Sequence, residues 1–318
     1  MKKAASALAA LLAASLVYAQ RPSNPALLIP QTAPDLDYMA VADPLTLPAG
    51  VTMGAPASAA FDSKGHLWVL NRGPQPLMEF EPDGKFVRSM GDGMFTRTHG
   101  LKIDRDDNLW VTDVTANIVV KMNPGGETLL TLGTKGQAGE WNEANNTRLF
   151  NEPNDVAIGR GGDIFVVQGH TAGKGDPRVL KFDKTGKFLK SWGGPGTEPG
   201  KFQVAHGAAI DAKGLLWVTD RENQRMQVFD QDGTFVRELK YAGLPCGLQI
   251  GDHDIYMVNG FAGQLLRLDL NGNVVAALGK PGKGLGEFGE AHFVTVSPKG
   301  EIYVADTVNA KLHKFVKR

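Results

Sequence analysis

The sequence predicts an all-β fold, a six-bladed β-propeller, and three observations carry that reading. The first is a recurring unit. His99-Gly100-Leu101-Lys102-Ile103-Asp104 precedes Leu109-Trp110-Val111-Thr112-Asp113. The pair returns as His206-Gly207-Ala208-Ala209-Ile210-Asp211 before Leu216-Trp217-Val218-Thr219-Asp220, and as His292-Phe293-Val294-Thr295-Val296 before Ile302-Tyr303-Val304-Ala305-Asp306. Weaker copies keep the second half: Leu67-Trp68-Val69, Ile164-Phe165-Val166 and Ile255-Tyr256-Met257. The second observation is spacing. The copies recur at roughly 40–55 residues, the length of one four-stranded blade. The third is composition: 39 Gly and 18 Pro in 318 residues, with 21% charged, supply the turns that many short strands need.

Taken in order, the chain opens with Lys2 and Lys3 before the apolar run Ala4 to Leu16, and Val17-Tyr18-Ala19 resembles a small-residue cleavage site. Residues 1–19 therefore read as an export signal, with the mature chain starting near Gln20. The run is short for a bilayer, so the expected location is periplasmic or secreted, without membrane attachment after cleavage. Residues 20–36, rich in Pro, Ser, Asn and Gln, read as an extended, poorly ordered arm. Residues 37–318 are assigned to the propeller.

Within a blade, the second strand is followed by a third, such as Ile118-Val119-Val120-Lys121-Met122, then by a polar turn, such as Asp183-Lys184-Thr185-Gly186. A fourth strand ends in Gly, as in Phe188-Leu189-Lys190-Ser191-Trp192-Gly193. The last copy stops after Lys314-Phe315 without a fourth strand. Tyr38-Met39-Ala40-Val41 is free to supply it, closing the ring and removing an exposed sheet edge. A single cysteine, Cys246, allows no internal disulfide. The formal net charge of +0 argues against nucleic acid as a partner. The expected partner is a small molecule, taken up by a monomer.

The residue opening each inner strand belongs at the mouth of the central channel. Blades one to six place Ala57, His99, Asn154, His206, Cys246 and His292 there. Histidines on alternate blades are about 120° apart and converge on the axis. That is the ligand set of an open His₃ zinc site, with a fourth position for water or substrate. The plainer alternative is that each is a polar residue capping a strand.

The second strands return to the same face, ending in Asn71, Asp113, Gln168, Asp220, Asn259 and Asp306, residues suited to holding turns. Next come Arg72 and Arg221, with His170 after Gly169. Two guanidinium groups beside a metal form a fork for a substrate carboxylate; the alternative is that they pair with acids such as Asp220 or Glu222. His66, His253 and His313 fall in turns or an outer strand and read as solvated. No phosphate loop, nucleophile elbow or Cys-x-x-Cys is present.

At these residues the sequence resembles a known family. His99-Gly100 with Trp110-Val111-Thr112-Asp113-Val114, then Pro153-Asn154-Asp155-Val156-Ala157, then Asp220-Arg221-Glu222-Asn223, are similar to the core of peptidyl-α-hydroxyglycine α-amidating lyase, built of NHL-type repeats. The similarity runs over about residues 50–318. It implies zinc on His99, His206 and His292, with Arg72 and Arg221 lining the pocket. It also implies cleavage of a peptidyl-α-hydroxyglycine into an amide and glyoxylate. Three departures go with it. His170 stands where the family has a tyrosine thought to act as base, which implies a histidine base here. Phe293 replaces an Asp associated with a structural calcium, which bears on whether calcium is bound. No copper monooxygenase domain is attached in this sequence. Other readings of the same propeller are a non-catalytic module binding a peptide or glycan, and a lactonase or hydrolase.

Overall fold

The computed structural model describes residues 21–318; the export-signal reading of residues 1–19 lies outside them. Six four-stranded antiparallel sheets surround a channel. Their inner strands are Pro56–Phe61, Thr98–Ile103, Pro153–Ile158, Ala205–Ile210, Pro245–Ile250 and Ala291–Val296. Each is followed by the apolar second strand read from the sequence, for example Leu109–Asp113 and Leu216–Asp220. The sixth sheet closes as expected. Tyr38–Val41 pairs antiparallel with Lys311–Lys317, in the register Tyr38 to Lys317 and Val41 to Lys314.

The core lies between blades. Trp68 of blade one packs with Leu101, Leu109 and Val111 of blade two, and Trp110 packs with Val156, Ile164 and Val166 of blade three. Each indole keeps its N–H satisfied by a carboxylate six residues upstream: Trp68 on Asp62 at 3.2 Å, Trp110 on Asp104 at 3.0 Å, Trp217 on Asp211 at 2.9 Å. The buried aromatic surface thus leaves no orphaned donor in these three blades.

Two features differ from the sequence reading. The arm is extended but docked. A 3₁₀ turn, Pro25–Leu28, buries Leu27, and Leu36 is buried against the blade-five and blade-six cluster. The Gln31 backbone N–H donates to Gln264 at 2.7 Å, and the Leu36 N–H donates to the Ala277 carbonyl at 2.8 Å. Polar composition hid two apolar anchors. Between blades two and three, Trp141–Asn142 and Thr147–Arg148 form a small hairpin that the repeat does not contain. Its Trp141 packs on Phe150 and Phe182.

Candidate metal centre

Every inner strand carries a bulge at its opening. The ladder slips between Thr98 and Leu101, Ala205 and Ala208, and Ala291 and Phe293, and likewise in blades one, three and five. The residue released from pairing is the channel residue, so the bulge aims it down the axis. Gly100 and Gly207 complete the bulge in blades two and four. A Cβ on Gly100 would lie 2.8 Å from the Asn154 carbonyl oxygen, and one on Gly207 2.6 Å from that of Cys246.

The three histidines of the alternate blades meet. Ring centres are 4.7 Å apart for His99 and His206, 4.5 Å for His99 and His292, and 5.0 Å for His206 and His292. All three are buried. His170 joins them, its ring centre 4.9 Å from that of His99 and 5.8 Å from that of His206. His99, His170 and His206 each bring a ring nitrogen within 4.8 Å of the other two. The sequence assigned His170 to a neighbouring step of chemistry; the structure puts it in ligand range. Gly169, at φ +93°, makes this turn, since a Cβ there would lie 2.5 Å from the Pro177 backbone. Glu152 fixes the loop by accepting from the Thr171 N–H at 2.6 Å and hydroxyl at 2.8 Å.

The odd blades supply orientation. The Asn154 carbonyl lies 2.7 Å from His99 Nδ1, and the Ala57 carbonyl 2.7 Å from His292 Nδ1. A carbonyl only accepts, so Nδ1 holds the proton in both rings and Nε2 holds a lone pair. Those Nε2 atoms face each other at 3.2 Å. Two lone pairs at that separation repel unless a cation lies beside both. Ligand nitrogens of a tetrahedral zinc, at about 2.0–2.1 Å from the ion, are themselves about 3.3 Å apart. Both nitrogens of buried His206 lack any hydrogen-bond partner. Burial first, then neighbouring charges, hold His99, His170, His206 and His292 well below the usual imidazole value. Each is therefore neutral near pH 7, the form that ligates a metal. The donor set fits zinc.

It does not fit calcium. Phe293 floors the cluster, its ring centre 5.6 Å from His99, 5.7 Å from His206 and 4.9 Å from His292. Lys102 Nζ lies 5.6 Å from the same ring and 3.0 Å from Asp155 Oδ2. An apolar ring and an ammonium already on the nearby carboxylate leave little for a hard cation that needs six or more oxygens. Beyond this floor a separate cavity of about 740 Å³ opens to the opposite end.

Arg72 and Arg221 flank the mouth but differ. Arg221 donates from Nε and Nη2 to Glu222 Oε1 at 3.0 and 2.8 Å. Burial works against its charge, yet Glu222 keeps it above the ordinary arginine value. Among the described residues the Arg72 side chain makes a single hydrogen bond, Nε to the Thr98 carbonyl at 3.3 Å. Burial, and then Arg97, push it down to about 10. Arg97, Glu152 and Glu290 were missed by the sequence reading. Each stands two residues before a channel residue, in Arg97-Thr98-His99, Glu152-Pro153-Asn154 and Glu290-Ala291-His292, a register that the repeat already contained. The second-strand ends hold turns, as read: Asp113 accepts from the backbone N–H groups of Thr96, Arg97, Thr115 and Ala116. His66 is taken up by Glu79 at 2.7 Å, and His313, read as solvated, is buried against Phe288.

Two stretches match the NHL repeat model, residues 202–229 and 288–315, and they include His206 and His292. This chain is an NHL-repeat β-propeller. It also resembles the amidating lyases, as its residues implied. It is 30% identical over 299 residues to peptidyl-α-hydroxyglycine α-amidating lyase 1 of Drosophila melanogaster, covering 81% of this chain and 52% of that protein. It is 34% identical over 207 residues to peptidyl-glycine α-amidating monooxygenase A of Xenopus laevis, covering 58% of this chain. The chain spans about a fifth of that relative, 21%. The NHL propeller also superposes on a solved streptogramin B lyase, with a TM-score of 0.62 at 15% identity, covering 88% of this chain and 98% of that one. A gluconolactonase from Xanthomonas campestris gives a TM-score of 0.62 at 14% identity, covering 93% and 98%. At such identities these structures speak for the fold alone.

Proposed function

We propose that this propeller is an exported, zinc-dependent C–N lyase of the amidating-lyase type, acting as a monomer on a small peptide-like carbinolamide and releasing an amide and glyoxylate. The observation that carries the reading is the facing pair of Nε2 lone pairs on His99 and His292, 3.2 Å apart beside the unpartnered His206. The similarity to lyases so named supports the reaction class. The N-terminal sequence supports export.

His99, His206 and His292 would hold the ion, with His170 in reach of it. Zinc, when bound, supplies a Lewis acid to a substrate oxygen. The rest falls to the chain. Arginine at the mouth binds the carboxylate of the hydroxyglycine and fixes the carbinol carbon over the histidines. His170, neutral because burial disfavours its charge, takes the hydroxyl proton on a ring nitrogen. The C–O bond becomes a carbonyl, the C–N bond breaks, and the amide nitrogen receives the proton from His170. Phe293 and the buried walls limit water below the reacting carbon. The test pairs metal analysis of the purified protein with a glyoxylate assay on an N-acyl-α-hydroxyglycine. Zinc near one equivalent with glyoxylate release is expected. Absence of release would end the lyase reading, and absence of zinc the metal reading.

A further inference from the structure

The guanidinium groups at the mouth are not equivalent, and their partners tell them apart. Arg221 is neutralised locally by Glu222, through two hydrogen bonds to one oxygen. Arg97 has no such partner. Its Nε is buried and unbonded, and no ion pair engages it among the described residues. The acids around it are committed elsewhere. Asp113 accepts four backbone N–H groups. Glu152 holds Thr171, and Glu290 accepts the Thr307 hydroxyl. Arg72 reaches the same segment: its one side-chain hydrogen bond runs from Nε to the carbonyl of Thr98, the residue after Arg97, at 3.3 Å. A guanidinium has five N–H donors, and a buried one left unbonded, as Arg97 Nε is, is costly. Two under-bonded cations side by side, next to the histidines, are the complement of a planar anion.

We infer that Arg72 and Arg97, rather than Arg72 and Arg221, clamp the carboxylate of a small organic acid. This rests on the lyase reading for the substrate's identity but not for the anion site. Arg97 comes from the loop before blade two and Arg72 from the end of the second strand of blade one, so the clamp spans one blade interface. Arg221, held by Glu222, shapes the wall.

Calorimetry of the zinc-loaded protein with glycolate, and with uncharged glycolamide, tests the clamp without turnover. Glycolate is expected to bind at least tenfold more tightly than glycolamide. Arg97→Gln should weaken glycolate binding tenfold or more, and Arg221→Gln by less than threefold. Should Arg97→Gln not fold, Arg97→Lys keeps the charge, loses the fork, and should still weaken glycolate several-fold. Equal binding of the two probes overturns the clamp. So does an Arg97 variant within twofold of the parent, or a larger loss from Arg221→Gln. Glyoxylate release is scored separately. Release without this binding pattern removes the clamp and keeps the lyase; the pattern without release does the reverse.

Discussion

The two ends of the channel are built from the same six inner strands and have opposite chemistry. At the far end the charges are paired, with Lys102 on Asp155 at 3.0 Å and Lys121 on Asp104 at 3.1 Å. At the histidine end, His206 has both nitrogens unbonded, and Arg97 Nε and Glu222 Oε2 are buried without partners. Buried polar groups are ordinarily bonded, because an unsatisfied one costs about 1–3 kcal/mol. The histidine end leaves both nitrogens of His206 unbonded beside one ion pair, Arg221 with Glu222. At the far end the unbonded oxygen of Asp155 belongs to a carboxylate that is itself ion-paired. The first pattern suits a ligand, the second stability. Phe293 is the divider between them.

The sharpest way to break that comparison is His206→Ala. If the histidine end serves a metal, zinc content should fall from near stoichiometric to a small fraction, since the two ligands left, His99 and His292, hold the ion far less well. The metal-free melting temperature should barely change, because His206 makes no hydrogen bond to lose. Elemental analysis and a melt in chelator read both. A large drop in metal-free stability would make His206 a core residue instead.

His170→Ala should come next, lowering kcat by roughly a hundredfold if His170 carries the proton. Zinc content measured on the same sample separates base from ligand: unchanged metal with lost turnover supports the base, and lost metal the ligand.

At the far end, Lys102→Met should destabilise the fold by about 2 kcal/mol. That is below the roughly 3–5 kcal/mol for a fully buried pair, because a quarter of the Lys102 side chain, 25%, remains in solvent while Asp155 has none. The effect should depend on pH. Burial outweighs the pull of Lys102 and raises Asp155 above the usual carboxylate value. Folding therefore favours the protonated form, with stability from this group largest in acid and lost as pH rises through the raised value. Removing Lys102 raises it further, so the destabilisation should shrink at pH 4 relative to pH 7. Denaturant melts at the two values check the sign.

Arg72→Lys should have the smallest effect, about 1.5 kcal/mol in kcat/KM, or slightly more than tenfold. Charge remains while the planar two-point contact goes. An unchanged kcat/KM would show that only charge matters at the mouth, which removes the structural reason for a fork.

The propeller was legible because its signals are local and repeated. Leu109-Trp110-Val111-Thr112-Asp113 and its copies state the second strand six times, and the missing last strand points back to Tyr38–Val41. The alternation of His99, His206 and His292 was legible for the same reason: a repeat converts sequence position into angle around an axis. What the repeat could not carry is distance and partner choice. The docking of Leu27 and Leu36 joins segments more than 200 residues apart, as in the Gln31–Gln264 hydrogen bond at separation 233. The sequence placed Arg221 beside both Asp220 and Glu222. Only the folded chain gives Asp220 to Arg225, at 2.8 Å, and Glu222 to Arg221. Likewise only the folded chain shows Arg97 Nε buried with no hydrogen-bond partner among the described residues. The Asn154 and Ala57 carbonyls that orient two imidazoles have no sequence signal at all, since every residue has a carbonyl and only the bulge decides where it points. Composition and period determined the scaffold and the ring of three histidines. Tertiary packing decided which charges are neutralised and which remain for a ligand, because neutralisation depends on contacts of a few ångströms between residues that the repeat treats as equivalent.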